Sequence, residues 1–213
     1  IYNMKKVIHT VITGNYDSVK EIVGFDNSDW QFLLYTNNKD LKSKTWNIIY
    51  TPELNNVKRA RAIKILPPHD YDQSIWIDGS IQVNCNLTQF VKERCESDFV
   101  VMNHPDRQCV YEEAKACIRL GKDNPTVIQE QIKKYSLDYY PHNNGMVATG
   151  FIFRNKSELV DNFCKLWLNE VLYYSHRDQL SFNYIANKNN TPFQKIPFSI
   201  LKHEFLLKKH LKR

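Results

Sequence analysis

The chain has no apolar run near the roughly 18 residues that a membrane-spanning helix requires; its best stretches are as short as Phe99-Val-Val-Met102. Ile1 to Lys6 leads into a strand-like segment rather than the apolar core of a signal peptide. Glycine is scarce, with six in 213 residues, and there is no Pro/Gly-rich linker, internal repeat or low-complexity segment. A length of 213 residues without a boundary predicts one domain. The five cysteines are an odd set with no CxxC pair, which argues against a zinc cage or a disulfide framework and fits a reducing cytoplasm. GxGxxG, GxxxxGK[ST], GxSxG and HExxH are all missing, so dehydrogenase, P-loop and serine-hydrolase readings have no support.

What is present is enough for a full core: 42% of residues are hydrophobic and 13% aromatic. The net charge of +6 is uneven, because Lys202, Lys208, Lys209, Lys212 and Arg213 against Glu204 put +4 in the last residues. A nucleic-acid binder needs a basic stripe across its folded body, so no nucleic-acid partner is expected. The domain is therefore drawn as residues 1–201, with 202–213 a basic tail and a candidate final helix. The amphipathic run from Phe205 to Arg213 predicts weak peripheral attraction to anionic membranes. A solvated, frayed terminus is the alternative.

Strand-like and helix-like segments alternate. Strands are read at Lys6–Thr13, Trp30–Tyr35, Trp46–Tyr50, Ser74–Asp78, Asp98–Met102 and Met146–Phe153. Helices are read at Asn55–Leu66, Leu87–Cys95, Cys109–Leu120, Thr126–Tyr135, Glu158–Tyr173 and Asp178–Asn187. The pattern predicts an open α/β sheet, whose ligands bind outside the carboxyl ends of the strands.

Chemistry-bearing residues gather at those ends. Trp76-Ile-Asp-Gly-Ser80 sets Asp78 where a buried strand runs out, beside a Gly79 that lets a ligand approach the backbone. A carboxylate there suits a divalent cation bridging to phosphates; a simple Asp-Gly turn is the alternative. Arg61 and Lys64 share a helix face and could neutralise a diphosphate, or form a solvated basic face. His104-Pro-Asp-Arg107 and Glu112-Glu113 follow another strand; the helix dipole explains the acids but gives His104 and Arg107 no job. Ser175 and Asp178 have capping-box spacing, yet the same helix start could aim Asp178 and Gln179 at a sugar.

Taken in order, the turn Gly14-Asn-Tyr-Asp17, Arg61 and Lys64 before Pro67-Pro-His69, Trp76-Ile-Asp-Gly-Ser80, His104-Pro-Asp-Arg107 with Cys109-Val-Tyr-Glu-Glu113, Gly145 and Arg154 around a strand, and Arg177-Asp-Gln-Leu-Ser-Phe182 resemble the TOD/MUCI glycosyltransferase-like domain family. The likeness runs from about Val7 to about Tyr184.

It implies a GT-A-like fold and transfer of a sugar from a nucleotide-diphospho-sugar, with a UDP-sugar the expected donor. A surface glycan or small carbohydrate is the implied acceptor. By the same resemblance Asp78 matches the first Asp of an Asp-x-Asp motif that holds Mn²⁺ or Mg²⁺, Ser80 stands in place of the second, and His203 is a candidate to complete the shell. Thr10 and Tyr16 sit where such folds contact base and ribose. Arg61 and Lys64 lie on the donor-phosphate side, Gly150 joins the substrate-binding set, and Asp178 and Gln179 lie beside the anomeric carbon. If the reaction inverts, Glu113 and Asp178 are the candidate bases; if it retains, Gln179 and the donor phosphate suffice. A nucleotide-sugar-binding or glycan-binding module without catalysis is the alternative.

Overall fold

In a computed structural model, which describes residues 4–210, seven strands form one sheet. They are β1 (Lys6–Ile12), β2 (Gln31–Thr36), β3 (Asn47–Tyr50), β4 (Gln73–Ile77), β6 (Phe99–Asn103), β7 (Val147–Asn155) and β8 (Gln194–Ile196), in the order β3-β2-β1-β4-β7-β6-β8. A second ribbon pairs β5 (Ile81–Val83) with β9 (Phe205–Leu207). The helices are α1 (Val57–Ile65), α2 (Leu87–Arg94), α3 (Val110–Arg119), α4 (Pro125–Leu137), α5 (Glu158–Tyr173), α6 (Asp178–Lys188) and α7 (Ile200–His203).

Within the seven-stranded sheet all pairs are parallel except those of β7, which runs antiparallel to both β4 and β6. The chain travels outward from β1 to β3, then crosses through α1 to β4 on the other side of β1. That reversal opens a crevice at the carboxyl ends of β1 and β4. The expected open, mostly parallel α/β sheet is therefore present.

Both faces of the sheet are covered, which explains why β4 is almost wholly buried and ends in the apolar run Ile75-Trp-Ile77. On one face Ile65 of α1, Phe163 and Trp167 of α5 and Phe182 of α6 pack over Trp76, Phe99 and Ile152. On the other, Phe90 of α2, Ile200 and Leu201 of α7, and Phe205 cover Ile8, Ile75, Ile77 and Phe153. The five cysteines are free thiols. No helix among the described residues is long and apolar enough to cross a membrane.

The segment expected as a helical tail differs from that reading. Residues 205–207 form strand β9, Phe205 is fully buried, and Lys208 N–H donates to the Ser80 carbonyl at 2.8 Å. His210 Nδ1 then sits 3.0 Å from Asp17 Oδ2. The end of the chain is thus strapped across the strand end that carries Asp78. The tail charges Lys212 and Arg213 lie outside the described residues.

Candidate active site

Three elements deliver the central groups. β4 ends at Ile77, so Asp78 emerges at the crevice, and its N–H donates to the Gly150 carbonyl of β7 at 2.9 Å. The next residue must be small: a Cβ on Gly79 would lie 2.9 Å from the Val11 carbonyl oxygen and from Ile12 Cγ1. The turn is therefore a place where the chain passes β1 at backbone contact, which a side chain would block.

β7 supplies Thr149 through an irregularity. Val101 pairs with Ile152 but Met102 pairs with Ala148, so Thr149, Gly150 and Phe151 have no partner in the ladder with β6, while Phe151 still pairs with Ile77 of β4. Bulges re-aim side chains, and here Thr149 Oγ1 donates to Asp178 Oδ2 at 2.6 Å. A Cβ on Gly150 would stand 3.4 Å from Asp78 Oδ2.

α1 carries four cations, of which Arg59 is exposed and Lys58, Arg61 and Lys64 follow a spacing of three. None of these three forms the solvated face that the sequence left open. Lys58 Nζ donates to the Leu172 and Tyr174 carbonyls, where the C-terminus of α5 favours positive charge. Arg61 Nε donates to the His176 carbonyl at 3.1 Å and stands 3.5 Å from Asp178 Oδ1. Lys64 Nζ reaches Asp178 Oδ2 at 2.8 Å, Thr149 Oγ1 at 3.1 Å and Asp78 Oδ1 at 3.4 Å, and the Trp76 ring lies 5.7 Å away. Its side chain is 2% exposed, so the three ammonium donors are spent inside the protein rather than offered to a phosphate.

The capping box expected from Ser175 and Asp178 is not formed. Ser175 Oγ donates to Asp123 Oδ2 and accepts from Arg177 N–H, while α6 begins without a side-chain cap. Asp178 instead faces Lys64, and its carbonyl accepts from Trp167 Nε1 at 3.0 Å. Burial pushes the Asp178 carboxyl up, but the charges of Lys64 and Arg61, with hydrogen bonds from Lys64 and Thr149, hold it well below its ordinary 3.8. It is an ionised carboxylate in a dry setting. Gln179 is fixed next to it by donation from Nε2 to the Val147 carbonyl at 3.2 Å. Asp78 is the solvent-facing partner, 43% exposed, with Oδ1 accepting from Trp76 Nε1 at 2.9 Å.

The remaining sequence candidates fall into other places. Thr10 is buried in β1, and its hydroxyl has no hydrogen-bond partner among the described residues. Tyr16 is half exposed, with its ring 4.8 Å from that of His210. Ser80 is buried, and its carbonyl ties down the C-terminal strap. His104 does have a structural job: Nδ1 accepts the Asp106 and Arg107 backbone N–H groups, closing the loop before α3. Burial lowers its pKa, opposed by Glu113. Arg107 Nε ion-pairs with Glu113 Oε2 at 3.1 Å, and no contact among the described residues joins Glu113 to Lys64, Asp78 or Asp178.

His203 does not stand beside Asp78. It is exposed at the Asn84 end of the β5–β9 ribbon, where its carbonyl accepts from Asn84 Nδ2 at 2.9 Å. Asp78 precedes the opposite end, and the histidine there is His210 with Asp17. Thr149, Asp17 and His210 were missed by the sequence reading. A hydroxyl in an apolar strand just before Gly150 was the one local sign of Thr149.

The matched family model, TOD1/MUCI70, glycosyltransferase-like domain, covers residues 37–210. The chain belongs to that family. Among curated proteins it is 29% identical over 126 residues to the "Probable hexosyltransferase MUCI70" of Arabidopsis thaliana, covering 54% of this chain and 22% of that protein. It is 26% identical over 160 residues to the "Alkaline ceramidase TOD1" of the same plant, covering 70% of this chain and 34% of that protein. The chain thus spans about a fifth and a third of these relatives.

A solved structure described as "WbbM bifunctional glycosytransferase apo structure" superposes with a TM-score of 0.54 at 10% identity, over 93% of this chain and 40% of that one. Mouse xyloside xylosyltransferase 1 in its apo form gives a TM-score of 0.49 at 9% identity, over 91% of this chain and 85% of that one. The fold of this chain, like that of the first of these structures, is of the GT-A type.

Proposed function

We propose that this domain transfers a hexosyl group from a nucleotide-diphospho-sugar, with UDP the expected nucleotide, to a carbohydrate acceptor in surface-glycan synthesis. The observation that carries the reading is the Lys64–Asp178–Asp78 chain of charges at the strand-order reversal, with Asp178 buried and Asp78 open to solvent. Breaking a glycosyl–phosphate bond puts negative charge on the leaving diphosphate and positive charge on the sugar carbon. Asp178, kept ionised by Lys64, steadies the positive sugar, and Arg61, partly exposed on the same helix, faces the leaving charge.

A divalent cation fits this site only when shared with the donor. No group of three or more His, Cys, Asp or Glu side chains among the described residues could hold an ion. Asp78 Oδ2 is nevertheless unclaimed by the Trp76 and Lys64 contacts, which engage Oδ1. Mg²⁺ and Mn²⁺ bind this way, through one carboxylate plus substrate phosphates. When bound, such an ion would be held by Asp78 and would neutralise the diphosphate.

The second plant relative's name raises amide hydrolysis instead. Thr149 does donate to Asp178, but that carboxylate is buried and held well below its ordinary range by Lys64 and Arg61, which makes it a poor base for activating the hydroxyl. A peripheral membrane contact through Lys202, Lys208 and Lys209 would suit a lipid-linked acceptor. The deciding experiment is a nucleotide-sugar panel with Mn²⁺, with and without oligosaccharide acceptors. Release of nucleoside diphosphate that rises with acceptor supports transfer. Donor binding without turnover across the panel would mean a binding module, and ceramide cleavage with no sugar transfer would mean a hydrolase.

A further inference from the structure

Gln179, Asn183 and Asn187 follow a spacing of four along α6 and so form one stripe of carboxamides. At 1.5 Å per residue, Asn183 and Asn187 stand about 6 Å and about 12 Å beyond Gln179 along the helix axis. The segment leading into β7 runs beside this stripe. Gln179 Nε2 donates to the Val147 carbonyl, and a Cβ on Gly145 would stand 3.7 Å from Asn183 Nδ2. The stripe thus starts next to Asp178 and leads away from it.

Past Gln179 the stripe enters a groove of about 390 Å³ along the second half of α6. Small-ligand sites typically measure about 300–1,000 Å³. The lining carries no charged residue: Asn144, Asn183, Asn187, Asn190 and Thr191 supply the polar atoms, and Phe193 is among the apolar residues. Lys195 Nζ stands beside Gly145, outside that lining. Two of the asparagines have other reasons to be there. Asn190, with φ 49°, takes the left-handed turn that ends α6, and Asn144 neighbours the Tyr140 hydroxyl. Asn183 has none: it is 6% exposed, and its Oδ1 is enclosed without a hydrogen-bond partner. Buried carboxamides are ordinarily satisfied, and a turn of this amide brings Oδ1 to the groove that it lines.

A carboxamide both donates and accepts, as sugar hydroxyls do, and an aromatic ring suits the C–H face of a pyranose. A phosphate or a uronate would meet no counter-charge in this lining. We propose that the groove holds the neutral oligosaccharide part of the acceptor, beyond the sugar that reacts beside Asp178. This rests on the transfer reading above and adds the acceptor's class: an uncharged chain of several sugars rather than a monosaccharide or an acidic glycan. Gln179, fixed at the head of the stripe, links the two places.

Hexaoses of glucose, mannose and galactose, with the corresponding monosaccharides, are the probes, used on the intact protein. In nitrogen-edited NMR at least one hexaose should shift the side-chain amide signals of Asn183 and Asn187, and its monosaccharide should not. Asn187→Ala, at an exposed position, should weaken that hexaose about fivefold, the size of one hydrogen bond, and Asn183→Ala should do the same. In transfer assays Asn187→Ala should lower the preference for the hexaose over the monosaccharide as acceptor. Binding is read apart from catalysis: a shifted Asn183 and Asn187 with no transfer from any donor would strike the transfer reading and leave the groove a glycan site. Amide signals unmoved by every hexaose overturn the proposal, whether or not transfer occurs, as does a larger shift from an acidic oligosaccharide. Should Asn183→Ala fail to fold, the wild-type spectra and Asn187→Ala decide the matter.

Discussion

The Lys64 ammonium stands 2.8 Å from Asp178 Oδ2 and 3.4 Å from Asp78 Oδ1, joining a buried carboxylate at the start of α6 to an exposed one at the end of β4. Removing one member of a buried pair leaves the other uncompensated, at a cost of about 3–5 kcal/mol. Lys64→Met and Asp178→Leu should each lower stability by that order in urea unfolding. The double variant should recover much of the loss, because neither fully buried charge remains and the partly exposed Arg61 keeps the His176 carbonyl. It should still be inactive in sugar transfer. A double variant as active as wild type would show that the pair serves folding alone.

The same pair sets the acid limb of stability. The Asp178 carboxyl is held below its ordinary 3.8, so its contribution is present above that value and is lost as pH falls through the lower folded value. Wild-type stability should therefore drop on acidification below about pH 4. In the Lys64→Met/Asp178→Leu background that limb should flatten. An unchanged slope in a pH series of urea midpoints would remove Asp178 as its source.

Two glycines near Asp78 should behave differently. Gly79→Ala forces a Cβ to 2.9 Å from the Val11 carbonyl oxygen, so overpacking should cost about 1–3 kcal/mol. Gly150→Ala meets Asp78 Oδ2 at 3.4 Å, a contact that gives by a few tenths of an ångström. Its melting temperature should stay near wild type while KM for the donor rises. A Gly150→Ala enzyme with wild-type KM would place the donor away from Asp78.

Cation binding should depend on the donor nucleotide. Mn²⁺ alone should shift the melting temperature little, since the described residues offer no three-ligand set. UDP should stabilise the protein, and Mn²⁺ should enlarge that shift. Asp78→Asn should erase the Mn²⁺-dependent part and leave the rest. A full Mn²⁺ effect in Asp78→Asn would move the cation elsewhere.

Much of this was legible in the sequence, for reasons that also mark where it stopped. The long elements announce themselves by periodicity, so β1, β4, α1 and α5 lie within a residue or two of the expected segments. β5, β8 and β9 have three residues each, too short for any period, and pairing alone defines them. Asp78 and Asp178 were legible because each sits at an element's end. The burial of Lys64 was not, since a lysine three residues from an arginine reads the same on a solvated face. Glu113 was a fair candidate base until its pairing with Arg107 appeared.

That pairing bears on stereochemistry. An inverting transferase needs a base with a pKa near the working pH to take the acceptor's proton. Asp178 is buried and held far below that range, and Glu113 is engaged by Arg107. With Asp78 given to the cation, the leaving diphosphate can take the proton: the C1–O bond to phosphate breaks, the acceptor oxygen bonds C1, and its proton passes to the departing phosphate oxygen on the same face. The product should therefore keep the donor's anomeric configuration. Proton NMR of the first product, recorded before mutarotation, reads the anomeric coupling directly. An inverted product would require a base other than these two carboxylates.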